Sequence, residues 1–232
     1  MNDEAMFAAL RGVTTATLTT VLLKRGLRKV WMTGTRPMGS PSRVVGRAFT
    51  LRFIPGREDV ATPASWSSPR STRAAIEAMP EGVVAVVDAM GVKEAGIYGD
   101  ILCARMKRRG VAALVTDGVI RDADGVAATG LPVWCDGVAA PPSVASLHFV
   151  GWQEPIGCGG VGVFPDDVVV ADRDGAVVIP AAMAAEVAQA AVDQEHLEGW
   201  IMGEVERGAA LPGLYPPSEE TRARYEQDRG RT

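Results

Sequence analysis

The stretch "GVVAVVDAMGVKEAGIYGDILCARMKRRGVAALVTDG", residues 82–118, decides the fold. Its first run, "GVVAVVDA" (82–89), is valine-rich without polar alternation, the pattern of a strand covered on both faces. "GDILCARMKRRG" (99–110) reads as a helix opened by Asp100 and closed by Gly110. "VAALVTDG" (111–118) is a second buried strand. Strand, helix and strand make a βαβ unit with parallel strands.

On the N-terminal side, "RVVGRAFTLRFI" (43–54) alternates with a period of two and reads as a strand. "PGREDVATPASWSSPRS" (55–71) is rich in Pro and Ser and reads as a loop, of the length that often carries function. "TTATLTTVLLKRGLRKV" (14–30) fits a helix ended by Gly26, against the preference of its β-branched residues. On the C-terminal side, "LPVWCDG" (131–137), "IGCGGVGVF" (156–164) and "DDVVVADRDGAVVIP" (166–180) read as short strands, with Asp174-Gly175 a hairpin turn. A long helix over 181–208 follows. The expectation is an α/β fold, one domain over residues 1–212 with a C-terminal tail over 213–232, built on a central βαβ unit with mixed sheets and a long C-terminal helix.

Composition limits the function classes. A chain of 232 residues, 47% hydrophobic and 22% charged, has enough apolar mass for one sizeable core. No apolar run approaches the roughly 18 residues that span a bilayer, and "MNDEAM" lacks a basic signal-peptide start, so a cytoplasmic protein without a membrane partner is expected. Cys103, Cys135 and Cys158 are far apart and read as reduced core residues. A net charge of −4 with scattered arginines gives no basic face; nucleic acid is disfavoured and a small-molecule or protein partner favoured.

In parallel α/β units ligands collect beyond the carboxyl ends of the strands. Both strands of the unit end on one edge, the second in "DGVIRDADG" (117–125), which packs three aspartates and an arginine into nine positions. The helix start at Gly99 and Asp100 faces the same edge and offers free N–H groups to an anion. Arg121 suits a carboxylate or keto-acid oxygen, and Asp122 a divalent cation that keeps most of its waters. Composition by itself favours a solvated charged turn, since surface turns are usually charged, and spacing alone leaves the choice open.

Other signals are weaker. "GCGGVG" fits the dinucleotide fingerprint G-x-G-x-x-G, but Pro165 would interrupt the helix that motif must open. "DRDG" (172–175) lacks the remaining ligands of a calcium loop. His148 and His196 are too few for a histidine zinc site. Of the four lysines, only Lys93 lies near the pocket loops as a Schiff-base nucleophile.

The run "GDILCARMKRRGVAALVTDGVIRDADG" resembles the signature of the RraA-like proteins and the 4-hydroxy-4-methyl-2-oxoglutarate aldolases, and the likeness extends to "RPMGSPSRVVGRAFTLRFIPGRED" and "PIGCGGVGVFPDDVVVADRDGAVVIP". The resemblance implies a three-layer β/β/α, swivelling-domain-like fold in homotrimers or hexamers, with active sites between subunits. It implies a class II aldolase: cleavage of a 4-hydroxy-2-oxo acid to pyruvate with Mg2+ or another divalent cation such as Mn2+, and oxaloacetate decarboxylation as a second activity. Arg121 would bind and polarise the keto acid, Asp122 would hold the metal, and backbone amides of Gly99, Asp100, Ile101 and Leu102 would hold the substrate carboxylate. Asp100 matches an acidic residue that acts through metal-held water. Some family members are instead regulators that bind and inhibit a ribonuclease. Two departures stand out: Pro165-Asp166-Asp167 replaces a Pro-Gly-Asp turn, and an early Asp is replaced within "TATLTT". Glu195 and Glu198 are candidates to reach a neighbouring subunit's metal, and Arg57, Glu58 and Asp59 to select the substrate.

Overall fold

The computed structural model describes residues 2–230. Seven α-helices lie among them: α1 (Asp3–Arg11), α2 (Thr15–Lys24), α3 (Thr72–Ala78), α4 (Asp100–Arg108), α5 (Ala123–Ala128), α6 (Ala184–Glu206) and α7 (Glu219–Arg229). The early strands are β1 (Trp31–Met32), β2 (Arg36–Pro37), β3 (Val44–Pro55), β4 (Val84–Asp88) and β5 (Ala113–Thr116). They are followed by β6 (Val133–Cys135), β7 (Leu147–Trp152), β8 (Ile156–Cys158), β9 (Val161–Val163), β10 (Val168–Asp172) and β11 (Gly175–Ile179).

The βαβ unit forms as its pattern dictates: β4 and β5 pair in parallel, from Val84 opposite Ala113 to Val87 opposite Thr116, with α4 crossing between them. β4 is buried throughout because both faces are covered. Val84 and Val86 point into one core cluster and Ala85 and Val87 into another, the period-two division of a strand. The sheet extends in the order β1-β11-β10-β3-β4-β5-β6-β2, with β7 added to β3. β3 through β6 are parallel neighbours and the rest pair antiparallel. The two end strands β1 and β2 are separated by only three residues, so the sheet curls back on itself. The Trp134 indole closes the curl by donating to the Asp172 carbonyl at 2.6 Å.

Three apolar clusters fix this mixed α/β arrangement. One lies between the sheet and helices α3, α4 and α5 and includes Phe53, Ile76, Met79, Tyr98, Met106 and Leu114. A second fills the inside of the curl around Trp134, Met32 and Val163. The third packs α1, α2 and α6 onto β10 and β11 through Leu10, Leu18, Leu22, Val170 and Val187. All three cysteines are free and buried, in agreement with their reading as core residues. Burial pushes the Cys103 thiol up to about 12, and raises Cys135 and Cys158 as well, so none is poised as a nucleophile.

The helix read over 14–30 is α2, and it ends just before Gly26. Thr14 answers the β-branched penalty by capping it, its hydroxyl accepting from the Thr17 amide at 3.1 Å. Gly159 and Gly160 form the turn of the β8–β9 hairpin, so "GCGGVG" opens no helix. Asp172 pairs with Gly175 across the β10–β11 turn. At the Pro165-Asp166-Asp167 departure, Asp166 takes φ 68°, the left-handed conformation that glycine favours. Asp167 secures that turn by accepting from the amides of Phe164 and Ala181, both at 2.9 Å. The Pro-rich C-terminal segment carries α7, which returns onto α6 by stacking Tyr225 edge-on against Trp200. Among the described residues no single helix is long and apolar enough to cross a membrane.

Candidate active site

Beyond the carboxyl ends of β4 and β5 lies a cleft of about 300 Å³. Its lining includes Gly99, Asp100, Ile101, Leu102, Arg121 and Asp122, the six residues assigned from the sequence to substrate and metal. Gly96, Ile97, Pro142 and Ser143 add backbone and a hydroxyl, and Trp66, Thr72 and Arg73 complete the lining.

Backbone pairing brings these segments together. The Arg121 amide donates to the Tyr98 carbonyl at 2.9 Å, and the Ile97 amide to the Val119 carbonyl at 2.9 Å, so the loops after β4 and β5 run side by side. Gly99 is the N-cap of α4 and has no side chain to satisfy the first-turn amides. Asp100 takes one of them: its Oδ1 accepts from the Ile101 amide at 2.7 Å. The remaining first-turn donors and the positive end of the helix dipole suit an anion in the cleft.

Asp122 sits at φ 54°, ψ 46°, a left-handed conformation that Asp tolerates and most residues do not. It begins α5, a short helix in a stretch that reads as a loop from the sequence; its carbonyl accepts from the Val126 amide at 2.8 Å. Arg121 Nε donates to Asp122 Oδ2 at 3.1 Å, and the two side chains keep 36% and 42% of their surface exposed. The pair is thus oriented yet open to a ligand. Two glycines make the close approach possible. A Cβ on Gly99 would collide with Asp122 Oδ2, and one on Gly125 would fall 2.8 Å from Asp100 Cβ and Oδ2. Helices α4 and α5 can therefore bring both carboxylates to one cleft.

The charged stretch divides by role. Asp117 is 6% exposed and lies outside the cleft lining. Its Oδ1 accepts from the Ala89 amide at 2.9 Å and its Oδ2 from the Gly159 amide at 3.0 Å. Burial pushes its carboxyl above the usual carboxylate range, although the amides of Gly159 and Ala89 oppose the shift; the Asp88 charge adds to it. Asp88, 8% exposed, does the same work at the end of β4, accepting from the amides of Met90 at 3.0 Å and Gly157 at 3.3 Å. These two carboxylates are structural and hold the β8–β9 hairpin to the strand ends.

Other expectations fall elsewhere. Lys93 pairs with Asp136 at 2.7 Å and keeps 62% of its side chain exposed; it is not the desolvated amine that Schiff-base chemistry needs. Arg57 and Asp59 pair with each other in an exposed turn, outside the cleft lining together with Glu58, and their loop reaches the cleft through Trp66 instead. Glu195 and Glu198 turn toward α2 of their own chain. Glu195 Oε1 accepts from the Thr14 amide at 2.6 Å, and Glu198 Oε2 from the Thr17 hydroxyl at 3.4 Å. Burial raises the Glu195 carboxyl, but the Thr14 and Thr17 hydrogen bonds and the Arg43 charge outweigh it and hold the group below its usual range. Trp66 and Arg73 carry no motif, and only the tertiary approach of α3 to α4 reveals them.

The family model described as "RraA-like: Aldolase/RraA" matches residues 15–178. A protein of Halalkalibacterium halodurans named "Putative 4-hydroxy-4-methyl-2-oxoglutarate aldolase" is 34% identical over 156 residues, covering 67% of this chain and 69% of that one. Protein DlpA of Legionella pneumophila is 27% identical over 145 residues, 62% of this chain but only 23% of DlpA. Among solved structures, Streptomyces coelicolor RraAS2, described as an unusual member of the RNase ES inhibitor RraA protein family, superposes with a TM-score of 0.79 at 36% identity, over 88% of this chain and all of that one.

Proposed function

The chain belongs to the RraA-like (Aldolase/RraA) family, and from that premise we propose that it is a divalent-metal-dependent aldolase. It cleaves a 4-hydroxy-2-oxo acid of the 4-hydroxy-4-methyl-2-oxoglutarate kind to pyruvate and decarboxylates oxaloacetate as a second activity. The observation that carries this reading is the convergence of Asp100, Arg121 and Asp122 with the open start of α4 in one cleft.

The donor set fits a magnesium-like ion. Among the described residues no three His, Cys, Asp or Glu side chains cluster as a metal cage. The cleft instead offers the half-exposed Asp122 carboxylate with Asp100 beside it. One or two hard oxygen ligands and retained water are what Mg2+ accepts; Zn2+ and Ca2+ call for more protein ligands. Asp122 would hold the ion, which when bound would supply Lewis-acid stabilisation of the negative charge that develops as the carbon–carbon bond breaks.

The chain's own groups do the rest. Arg121 binds the 2-oxo acid through charge-assisted hydrogen bonds, and the first-turn amides of α4 receive its C1 carboxylate. The Asp100 carboxylate takes the proton of the C4 hydroxyl as the C3–C4 bond breaks, the electron pair moving toward C3 and the 2-oxo group. C4 leaves as the carbonyl carbon of the second product, and the proton that Asp100 has taken passes to C3 to complete pyruvate. Oxaloacetate develops the same charge on losing CO2 but has no hydroxyl proton to give up.

The resemblance also supports a homotrimer or hexamer in the three-layer β/β/α arrangement, with its sites between subunits, in the cytoplasm. A second reading, a non-catalytic regulator that binds and inhibits a ribonuclease, draws on the likeness to RraAS2. Pyruvate release from a panel of 4-hydroxy-2-oxo acids and from oxaloacetate, with Mg2+ and with chelator, separates the two. No turnover of any keto acid together with capture of a ribonuclease would replace the aldolase by the regulator.

A further inference from the structure

We infer that Arg73, held against Trp66, is the specificity-determining residue that receives the distal carboxylate of the substrate. The inference rests on the keto-acid reading of the cleft and adds a residue to it. Arg121 and the start of α4 account for one end of a 2-oxo acid; the Trp66, Thr72 and Arg73 part of the lining lies where α3 approaches α4.

Arg73 is placed with care for an exposed residue. It is the second residue of α3, whose first turn is fixed by the Ser71 hydroxyl accepting from the Ala74 amide at 3.2 Å. Ala75 and Ile76 on the same helix are buried and anchor it to the core. The Arg73 guanidinium carbon then lies 5.1 Å from the centroid of the Trp66 ring, a cation–π contact that restrains the side chain while leaving its N–H fork free. Among the described residues no carboxylate pairs with Arg73. The neighbouring Glu77 is already taken by Arg105, at 2.7 Å, and by Arg109, at 3.2 Å. Arg121, by contrast, has Asp122. The cleft thus contains a restrained planar cation whose hydrogen-bonding capacity nothing among the described residues uses, and a carboxylate satisfies that fork with two parallel bonds.

The selectivity follows from charge. A 2-oxo acid with a neutral tail meets only the Arg121 end, whereas a 2-oxo dicarboxylate presents a second anionic end to Arg73 in the same cleft. Because Arg73 is solvent-exposed, one charge-assisted contact there is worth about tenfold in affinity.

Calorimetric titration with two unreactive probes, 2-oxoglutarate and 2-oxobutanoate, tests this without turnover. The wild type should bind the dianion about tenfold more tightly. Arg73→Gln should erase that preference while leaving 2-oxobutanoate affinity and the melting temperature unchanged, and Arg73→Lys should retain part of it. Arg70→Gln removes the same charge three residues away, outside the cleft lining, and should leave the preference intact. Equal affinity of the wild type for both probes, binding of neither, or a preference that survives Arg73→Gln or disappears in Arg70→Gln overturns the inference. A changed sedimentation coefficient with the preference kept would assign Arg73 to contact between copies and overturn it likewise. The outcome is separable from the aldolase reading: dianion preference without cleavage sinks the aldolase and keeps Arg73, and cleavage without dianion preference does the reverse.

Discussion

Asp100→Asn should separate the two proposed activities of one cleft. Aldol cleavage requires a base for the C4 hydroxyl proton, and an amide cannot accept it, so kcat for 4-hydroxy-2-oxo acids should fall by roughly 10²–10⁴. Decarboxylation of oxaloacetate has no such proton, and its kcat should change by no more than a few fold. The structure indicates that the fold will survive the change. The Asn carbonyl can still accept from the Ile101 amide, as Asp100 Oδ1 does at 2.7 Å, and the side chain keeps its volume against Gly125. What is lost is one negative charge at a helix start, worth about 0.3–1 kcal/mol, or about 1–4 °C in melting temperature for a chain of this size. The assay is coupled pyruvate detection with both substrates at saturating Mg2+, with thermal unfolding as the control. Equal losses on both substrates with unchanged melting would refute the proton-acceptor role of Asp100.

Arg121→Ala removes the fork that meets the keto acid before and during bond breaking, so KM should rise and kcat fall together, and guanidinium added to the assay should restore part of the rate. Asp122→Ala should remove both turnover and its magnesium dependence; a variant that still titrates with Mg2+ in a binding assay would show that the ion is held elsewhere. Gly99→Ala should lower activity with little change in melting, because the backbone there, at φ −118°, accepts any residue while the new methyl displaces the Asp122 carboxylate. Asp117→Asn should cost about 1–3 kcal/mol, since one of the amides that its two oxygens now satisfy loses its acceptor. The folded carboxyl of Asp117 is raised above its unfolded value, so its contribution to stability is present below the unfolded pKa near 4 and is lost as pH rises through the folded one. The wild type's margin over Asp117→Asn, read from denaturant titrations, should therefore widen from pH 7 toward pH 4, and a margin that narrows would contradict the assignment.

The βαβ centre was legible because β4, α4 and β5 are each decided locally, by a doubly buried valine run, an acidic helix start and a glycine stop. The same connectivity placed Asp100, Arg121 and Asp122 on one edge, where the cleft lies. Three things could not be read. β7 joins the sheet on the far edge of β3 through a register shift at Arg52/Phe53, a pairing between segments about a hundred residues apart. Helix α5 hides in a stretch whose density of Asp and Gly reads as a turn, and it forms because Asp122 adopts a left-handed start. Trp66 and Arg73 sit in a 3-10 turn and a short helix without periodic signal, and only the packing of α3 beside α4 brings them to the cleft. Glu195 and Glu198 read from the sequence as candidates to reach a neighbouring subunit's metal, and within the chain they also accept hydrogen bonds from Thr14 and Thr17 at the start of α2, a long-range contact without a sequence signal.

The clamp that Asp88 and Asp117 place on the β8–β9 hairpin also constrains the order in which the chain can be assembled. The hairpin's own pairing is local, but its attachments reach back 69 residues to Asp88 and 42 residues to Asp117. Neither acceptor is in position until β4 and β5 lie side by side with α4 closed over them, because both carboxylates stand at the ends of those strands. Until then the loop entropy of long closures opposes docking. The hairpin thus draws its long-range anchors from the strands that carry the cleft, so whatever parts β4 from β5 also releases the seal on the curl of the sheet.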